Sequence, residues 1–149
     1  MSSASTNYLE PDSPVFVLDS YAILAYLQGE QAGTRVREVL ELADSGGCRV
    51  KFPVINLGEV AYIVERRHGL ARTQEILILL THEPIEFVDA DRAAVLAAAH
   101  IKANYPLSYA DAFVVAAAQA YAGTIVTGDA EFHAVEGLVR VEWLEAINR

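Results

Sequence analysis

The sequence predicts an α/β domain with a mainly parallel sheet and helices on both faces. Two observations predict it. Short unbroken apolar runs such as Val15-Phe16-Val17-Leu18 and Thr124-Ile125-Val126-Thr127 read as strands buried on both faces. Stretches with apolar residues at helical spacing separate them, as crossover helices between parallel strands require. A length of 149 residues and a hydrophobic fraction of 53% suit one domain with one sizeable core.

The elements follow in order. Residues 1–14 carry Ser, Asn, Asp and Pro with little periodicity and read as a flexible leader; residues 15–149 form the domain. After the first strand, Ile23, Leu24 and Leu27 share a helical face, and Gln28-Gly29-Glu30 ends that helix. Val36, Val39, Leu40 and Ala43 line a second helix over 32–43, which Asp44-Ser45-Gly46-Gly47 stops. Residues 49–52 alternate as a strand, closed by Pro53. A helix over 54–67 places Leu57, Val60, Ala61 and Val64 inward, and another spans 71–81. Ile85–Val88 is a strand, Asp91 caps a helix to Lys102, and Ser108 opens an apolar helix over 110–121 that Gly123 terminates. That helix is apolar nearly all round, so it belongs at the centre. Residues 131–134 form one helical turn, Leu138–Val141 a last strand, and Trp143 falls in the tail.

The net charge of −9 argues against broad nucleic-acid binding through a basic surface. It leaves open nucleic acid handled at a bound cation, which reverses the local field. No apolar run approaches a membrane span, and no basic stretch followed by an apolar segment marks a secretory signal. Cys48 has no internal partner, which fits a reducing cytoplasm.

Four acids occupy awkward positions. Asp19 follows the first strand, at the end where open α/β sheets bind ligands; it is equally a good helix cap. Glu59 interrupts the apolar run Val54–Val64, where a lone carboxylate is costly to bury unless paired; it otherwise faces solvent or an arginine. Ser108-Tyr109-Ala110-Asp111 has capping-box spacing, which alone would explain Asp111. Asp129 follows the strand ending at Thr127, in a Gly-Asp pair that is also an ordinary turn. Converging carboxylates would repel one another and call for a hard divalent cation. Zinc does not fit, because the lone cysteine and His68, His82, His100 and His133 lack ligand spacing; His133 alone stands near an acid, Asp129.

Four segments in order resemble one family. They are Val17-Leu18-Asp19-Ser20, Asn56-Leu57-Gly58-Glu59-Val60, Leu107-Ser108-Tyr109-Ala110-Asp111-Ala112-Phe113, and Ile125-Val126-Thr127-Gly128-Asp129-Ala130-Glu131-Phe132. Over residues 15–141 the chain resembles the PIN-domain ribonucleases, specifically the VapC-type toxins of prokaryotic toxin–antitoxin modules. The resemblance implies a PIN-like three-layer α/β/α sandwich. It implies Asp19, Glu59, Asp111 and Asp129 as catalytic and metal-binding acids, with Ser20 and Thr127 supporting them. It also implies a homodimer, a cognate antitoxin that covers the acidic cleft, and an RNA substrate.

The expected chemistry is metal-dependent endonucleolysis with Mg²⁺ or Mn²⁺, with water attack leaving a 5′-phosphate and a 3′-hydroxyl. Asp19 and Asp111 are the expected closest ligands. Arg66, Arg67 and Arg72 form one basic cluster for RNA phosphates, Arg35 with Arg37 a second, and Arg49 with Lys51 a third. Each equally reads as a solvated face. Tyr62, Tyr105 and Tyr109 could stack on bases, although Tyr62 sits at core spacing. The apolar faces of Ile23–Leu27 and Val36–Leu40 are candidate partner surfaces. Two other readings remain. One is a non-catalytic PIN-like RNA-binding or assembly scaffold. The other is a phosphatase using a strand-end aspartate, against which Tyr21 stands where such sites place a second aspartate.

Overall fold

A computed structural model describes residues 13–145; most of the expected leader, and residues 146–149, lie outside them. The described strands are β1 (Val15–Leu18), β2 (Arg49–Pro53), β3 (Glu86–Val88), β4 (Thr124–Thr127) and β5 (Arg140–Trp143). They form one sheet in the order β3-β2-β1-β4-β5, with every neighbouring pair parallel. The helices are α1 (Ser20–Leu27), α2 (Gly33–Asp44), α3 (Val54–His68), α4 (Leu70–Thr81), α5 (Arg92–Asn104) and α6 (Tyr109–Tyr121), followed by a 3-10 helix at Ala130–Val135.

The strand pleat divides the core in two. Leu18 and Val126 point to the layer of Ile23, Val36, Val39, Val60 and Leu80. Their neighbours Val17 and Ile125 point to the other layer, with Ile101, Val114, Val115 and Phe132. Both faces are covered, which is why these strands read as continuous apolar runs. Helix α6 is central as expected, with residues 111–118 all buried.

Strand order reverses between β1 and β4: the chain leaves β1 toward β2 on one side and returns to β4 on the other. Such a switch point opens a crevice beyond the carboxyl ends of the two strands. Asp19 and Asp129 flank it.

Some expectations need correction. The last strand starts at Arg140, not Leu138, and includes Trp143. The N–H groups of Leu138 and Val139 both donate to the Val135 carbonyl, at 2.8 and 3.1 Å, and so finish the 3-10 helix instead of entering the sheet. Helix α6 does stop at Gly123, whose N–H donates to the Ala118 carbonyl at 2.8 Å, with the left-handed conformation falling on Ala122 (φ 51°). Gly123 also serves close packing: a Cβ there would come within 3.0 Å of Val17 Cγ2. Most of the apolar surface at Ile23–Leu27 and Val36–Leu40 is not free for a partner, because Ile23, Val36, Val39 and Leu40 are buried in the core, while Leu24 and Leu27 stay half-buried. The exposed apolar residues include Leu70, Ile78 and Leu79 on α4. Tyr62 is not core either; it is 49% exposed, with the Arg66 guanidinium 5.0 Å from its ring centre.

Candidate active site

Asp19 is the first residue beyond β1 and the N-cap of α1. Its Oδ1 accepts from the Ala22 N–H at 2.9 Å, so capping is one of its roles. Its Oδ2 accepts from the Thr127 hydroxyl at 2.5 Å, across the β1–β4 crevice. The same hydroxyl accepts from the Asp129 N–H at 2.9 Å, so Thr127 ties the ends of both strands together. Asp19 is only 1% exposed. Burial chiefly, with the nearby Asp129 charge adding, pushes its carboxyl up to about 7 against the opposing hydrogen bonds from Thr127 and Ala22.

Asp111 enters from the first turn of α6 and is 6% exposed. Burial, then the charge of Asp19, then Glu131 and Asp129 push its carboxyl up to about 8. Three of the four expected acids therefore act on one another at the switch point. Glu59 stands beside them on α3, half-buried, and its Oε1 accepts from the Ser20 hydroxyl at 2.5 Å. That hydroxyl also lies 3.3 Å from the Asn56 carbonyl, pinning α1 to α3. Ser20 and Thr127 thus hold acids directly.

Two residues escaped the sequence reading. Asn56 lies one helical turn before Glu59, is fully buried, and neither its side-chain oxygen nor its nitrogen has a partner. A lone Asn in an apolar run, three residues before the suspect Glu, was the available signal. Glu131 is a fifth acid at the crevice; its Oε1 accepts from the Ser108 N–H at 2.8 Å. Its place two residues after Asp129 was the signal. His133 turns away, stacked on Trp143 at 4.1 Å with its Nδ1 2.9 Å from Glu136.

Among the described residues no three His, Cys, Asp or Glu side chains are already gathered tightly enough to hold a metal ion. The donor chemistry nevertheless fits one. Asp19 and Asp111 are buried carboxyls, and among the described residues no salt bridge reaches either. A buried anion needs a counter-charge, which a proton or a hard cation can provide. The unpartnered Asn56 amide adds a neutral oxygen and an N–H donor nearby.

The basic clusters fare differently. Arg35 is taken by Glu142 (2.6 Å), and Arg49 and Lys51 by Glu86 (both 2.7 Å). Arg66, Arg67 and Arg72 remain exposed, although Arg72 lies 3.5 Å from Glu75 on the next turn. Arg66 lies two turns beyond Glu59 on α3, about 10 Å along its axis, and Tyr62 lies between them.

A family model of the PIN domain matches residues 16–138. The chain belongs to the PIN-domain family. Comparison with curated proteins gives no match. This PIN domain is similar in fold to the VapBC2 complex of Rickettsia felis bound to a promoter DNA fragment, with a TM-score of 0.69 at 16% identity over 88% of this chain and 99% of that one. It is similar to DNA-bound VapBC from Salmonella typhimurium, with a TM-score of 0.68 at 23% identity over 87% and 97%. It is also similar to VapC20 of Mycobacterium tuberculosis, a toxin described as cleaving the sarcin–ricin loop, with a TM-score of 0.64 at 19% identity over 80% and 94%. The α/β sandwich expected from the sequence is therefore the family's fold.

Proposed function

We propose that this PIN domain is a metal-dependent RNA endonuclease and the toxin of a type II toxin–antitoxin module. The observation that carries the reading is the pair of buried carboxyls, Asp19 and Asp111, at the switch-point crevice, neither of them in a salt bridge among the described residues. A protein that keeps such a pair sacrifices stability for a cation's seat. Asp19 and Asp111 are the closest ligands; Asp129 and Glu59 complete the set. Ser20 fixes Glu59, and Thr127 fixes Asp19 relative to Asp129.

Bound Mg²⁺ or Mn²⁺ supplies charge neutralisation for the scissile phosphate and a water of lowered pKa. The chain's own residues set the rest. In-line water attack leaves a 5′-phosphate and a 3′-hydroxyl. A 2′-hydroxyl route needs an acid–base pair, and His133, the histidine nearest the crevice in sequence, is occupied with Glu136 and Trp143. RNA leaves the crevice along α3, where the exposed Tyr62–Arg66 stack offers a ring and a cation, with Arg67 and Arg72 beyond. Tyr109, exposed at the start of α6, offers a second ring.

The solved relatives named above include VapBC complexes, which supports a cognate antitoxin as partner; a homodimer belongs to the same proposal. A basic antitoxin suits the net charge of −9. The exposed apolar residues of α4 replace the faces of α1 and α2 as the surface such partners would cover. Among the described residues no helix is long and apolar enough to cross a membrane, and we place the protein in the cytoplasm with its RNA.

The test incubates the protein with RNA, and separately with a phosphomonoester, in Mg²⁺, Mn²⁺ or EDTA, and maps the 5′ ends. We expect RNA cleavage with 5′-phosphates, dependent on metal. RNA binding without cleavage would return the scaffold reading; phosphomonoester hydrolysis alone would return the phosphatase.

A further inference from the structure

The start of α6 departs from the pattern its sequence announces. Ser108-Tyr109-Ala110-Asp111 has the spacing of a capping box, in which Ser108 Oγ accepts from the N–H of residue 111 and the Asp111 carboxylate accepts in return from the N–H of residue 108. Only the first half is present: the Asp111 N–H donates to Ser108 Oγ at 3.2 Å. The returning bond comes from elsewhere. The Ser108 N–H donates to Oε1 of Glu131, 23 residues further on. Glu131 is itself anchored, since its N–H donates to Asp129 Oδ1 at 3.0 Å. A continuous run of hydrogen bonds thus joins Ser108, Glu131, Asp129, Thr127 and Asp19.

We propose that Glu131 is a positioning residue: it occupies the cap of α6 and so keeps the Asp111 carboxyl out of that cap and in the crevice. What Asp111 does in the crevice rests on the nuclease reading; the exclusion itself does not. The two acids compete for one donor. Asp111 reaches the Ser108 N–H by a local rotamer change, because the capping box is built from residues three apart. Without Glu131 that exposed N–H would be left to water, and Asp111, three residues on, is the acid placed to displace the water. The carboxyl would then leave the crevice. Glu131→Gln keeps a carbonyl oxygen to accept from Ser108, so the cap and the exclusion both survive. Glu131→Ala removes both.

A double-mutant cycle in EDTA at pH 8 tests the exclusion without metal. Thermal unfolding is measured for wild type, Asp111→Ala, Glu131→Ala and the double variant. Asp111→Ala alone should leave the midpoint unchanged or raised, because Asp111 holds no cap in the wild type. In the Glu131→Ala background the same change should lower it, because Asp111 has become the cap. Additive effects, or coupling without that reversal of sign, would overturn the proposal, because the neighbouring Asp111 and Glu131 carboxyls couple in any case. A second arm titrates Mn²⁺ by calorimetry. Glu131→Ala should weaken binding by roughly tenfold, in the range seen when an outer partner of a metal ligand is lost, and Glu131→Gln should stay within about twofold of wild type. Equal loss in both variants would mean that Glu131 acts by its charge, which also overturns the proposal. If wild type binds no Mn²⁺ while the EDTA cycle shows the reversal of sign, the cap exchange stands and the metal reading of the crevice falls.

Discussion

Acids in two regions of this sheet are treated in opposite ways. At β2 and β3, two residues down the strands from the crevice, Glu86 receives Arg49 at both carboxylate oxygens and Lys51 at one, and these partners hold its carboxyl down to about 2. At the crevice, Asp19 and Asp111 are more deeply buried, meet other acids instead of bases, and are pushed up to about 7 and 8. An acid that serves the fold arrives with its counter-ions in the same chain. An acid that serves a ligand is left for the ligand to neutralise. The difference separates a stabilising pair from a binding site where residue type alone cannot.

The sharpest way to break this contrast is to remove the central crevice acid. Asp19→Ala should lower metal-dependent RNA cleavage by on the order of 10³-fold, the scale on which a single transition-state charge stabiliser acts. The variant should remain folded by circular dichroism. Retained cleavage would remove Asp19 from the site.

Next in size is the response to metal. Mn²⁺ at a hundred times its dissociation constant should stabilise wild type by about 2.7 kcal/mol, read as a raised unfolding midpoint. Asp111→Asn should lose most of that rise. It should not be destabilised in EDTA, because Glu131 and not Asp111 accepts from the Ser108 N–H. A loss of stability equal in EDTA and in Mn²⁺, with cleavage intact, would make Asp111 a structural residue.

Much of this region was legible from residue order. Apolar runs marked strands buried on both faces, and the carboxyl ends of β1 and β4 then located Asp19 and Asp129 without any coordinates. What stayed hidden depended on contacts between distant segments. Glu131 lies 23 residues from the N–H it caps, so local spacing assigned that cap to Asp111. Tyr62 has core spacing on α3, yet among the described residues it is left half-exposed. The edge strand β5 was displaced by two residues because Leu138 and Val139 bond backward to Val135, a choice between 3-10 turn and sheet that two apolar residues cannot announce. The basic pairs Arg35/Arg37 and Arg49/Lys51 looked available to RNA because Glu142 and Glu86, which engage Arg35, Arg49 and Lys51, are remote in sequence.

A smaller effect is the pH dependence of stability, where the two regions should show opposite slopes. In EDTA, Asp19 and Asp111 hold their protons more tightly folded than unfolded. Their contribution is therefore full below about pH 4 and is lost as pH rises through 7 and 8. Glu86 is the reverse: its contribution is present above its unfolded value of 4.5 and is lost as pH falls toward 2. The unfolding midpoint of the metal-free protein should fall between pH 6 and 8.5, and saturating Mn²⁺ should abolish that fall by replacing the protons. A flat metal-free profile above pH 6 would show that the crevice acids carry ordinary charges.

The smallest effects belong to the compensated region, and they test whether the two regions are independent. Arg49 and Glu86 are both about two-fifths exposed, so water screens their attraction. Lys51 is different: it is 7% exposed, its ammonium lies 4.1 Å from the ring centre of Tyr121, and Glu86 is its anionic partner. Arg49→Ala leaves the Lys51–Glu86 pair in place and should cost about 0.5 kcal/mol or less. Glu86→Gln strands a buried cation and should cost more, about 1–2 kcal/mol, below the range for a fully buried pair because Glu86 itself meets solvent. Neither change touches the strand ends, so RNA cleavage and the Mn²⁺-induced rise should match wild type once the lower baseline is subtracted. A tenfold loss of cleavage in Arg49→Ala, with stability intact, would show that this arginine meets RNA. The ion pair with Glu86 would then be a resting arrangement, and the separation between acids kept for the fold and acids kept for the ligand would fail at this point.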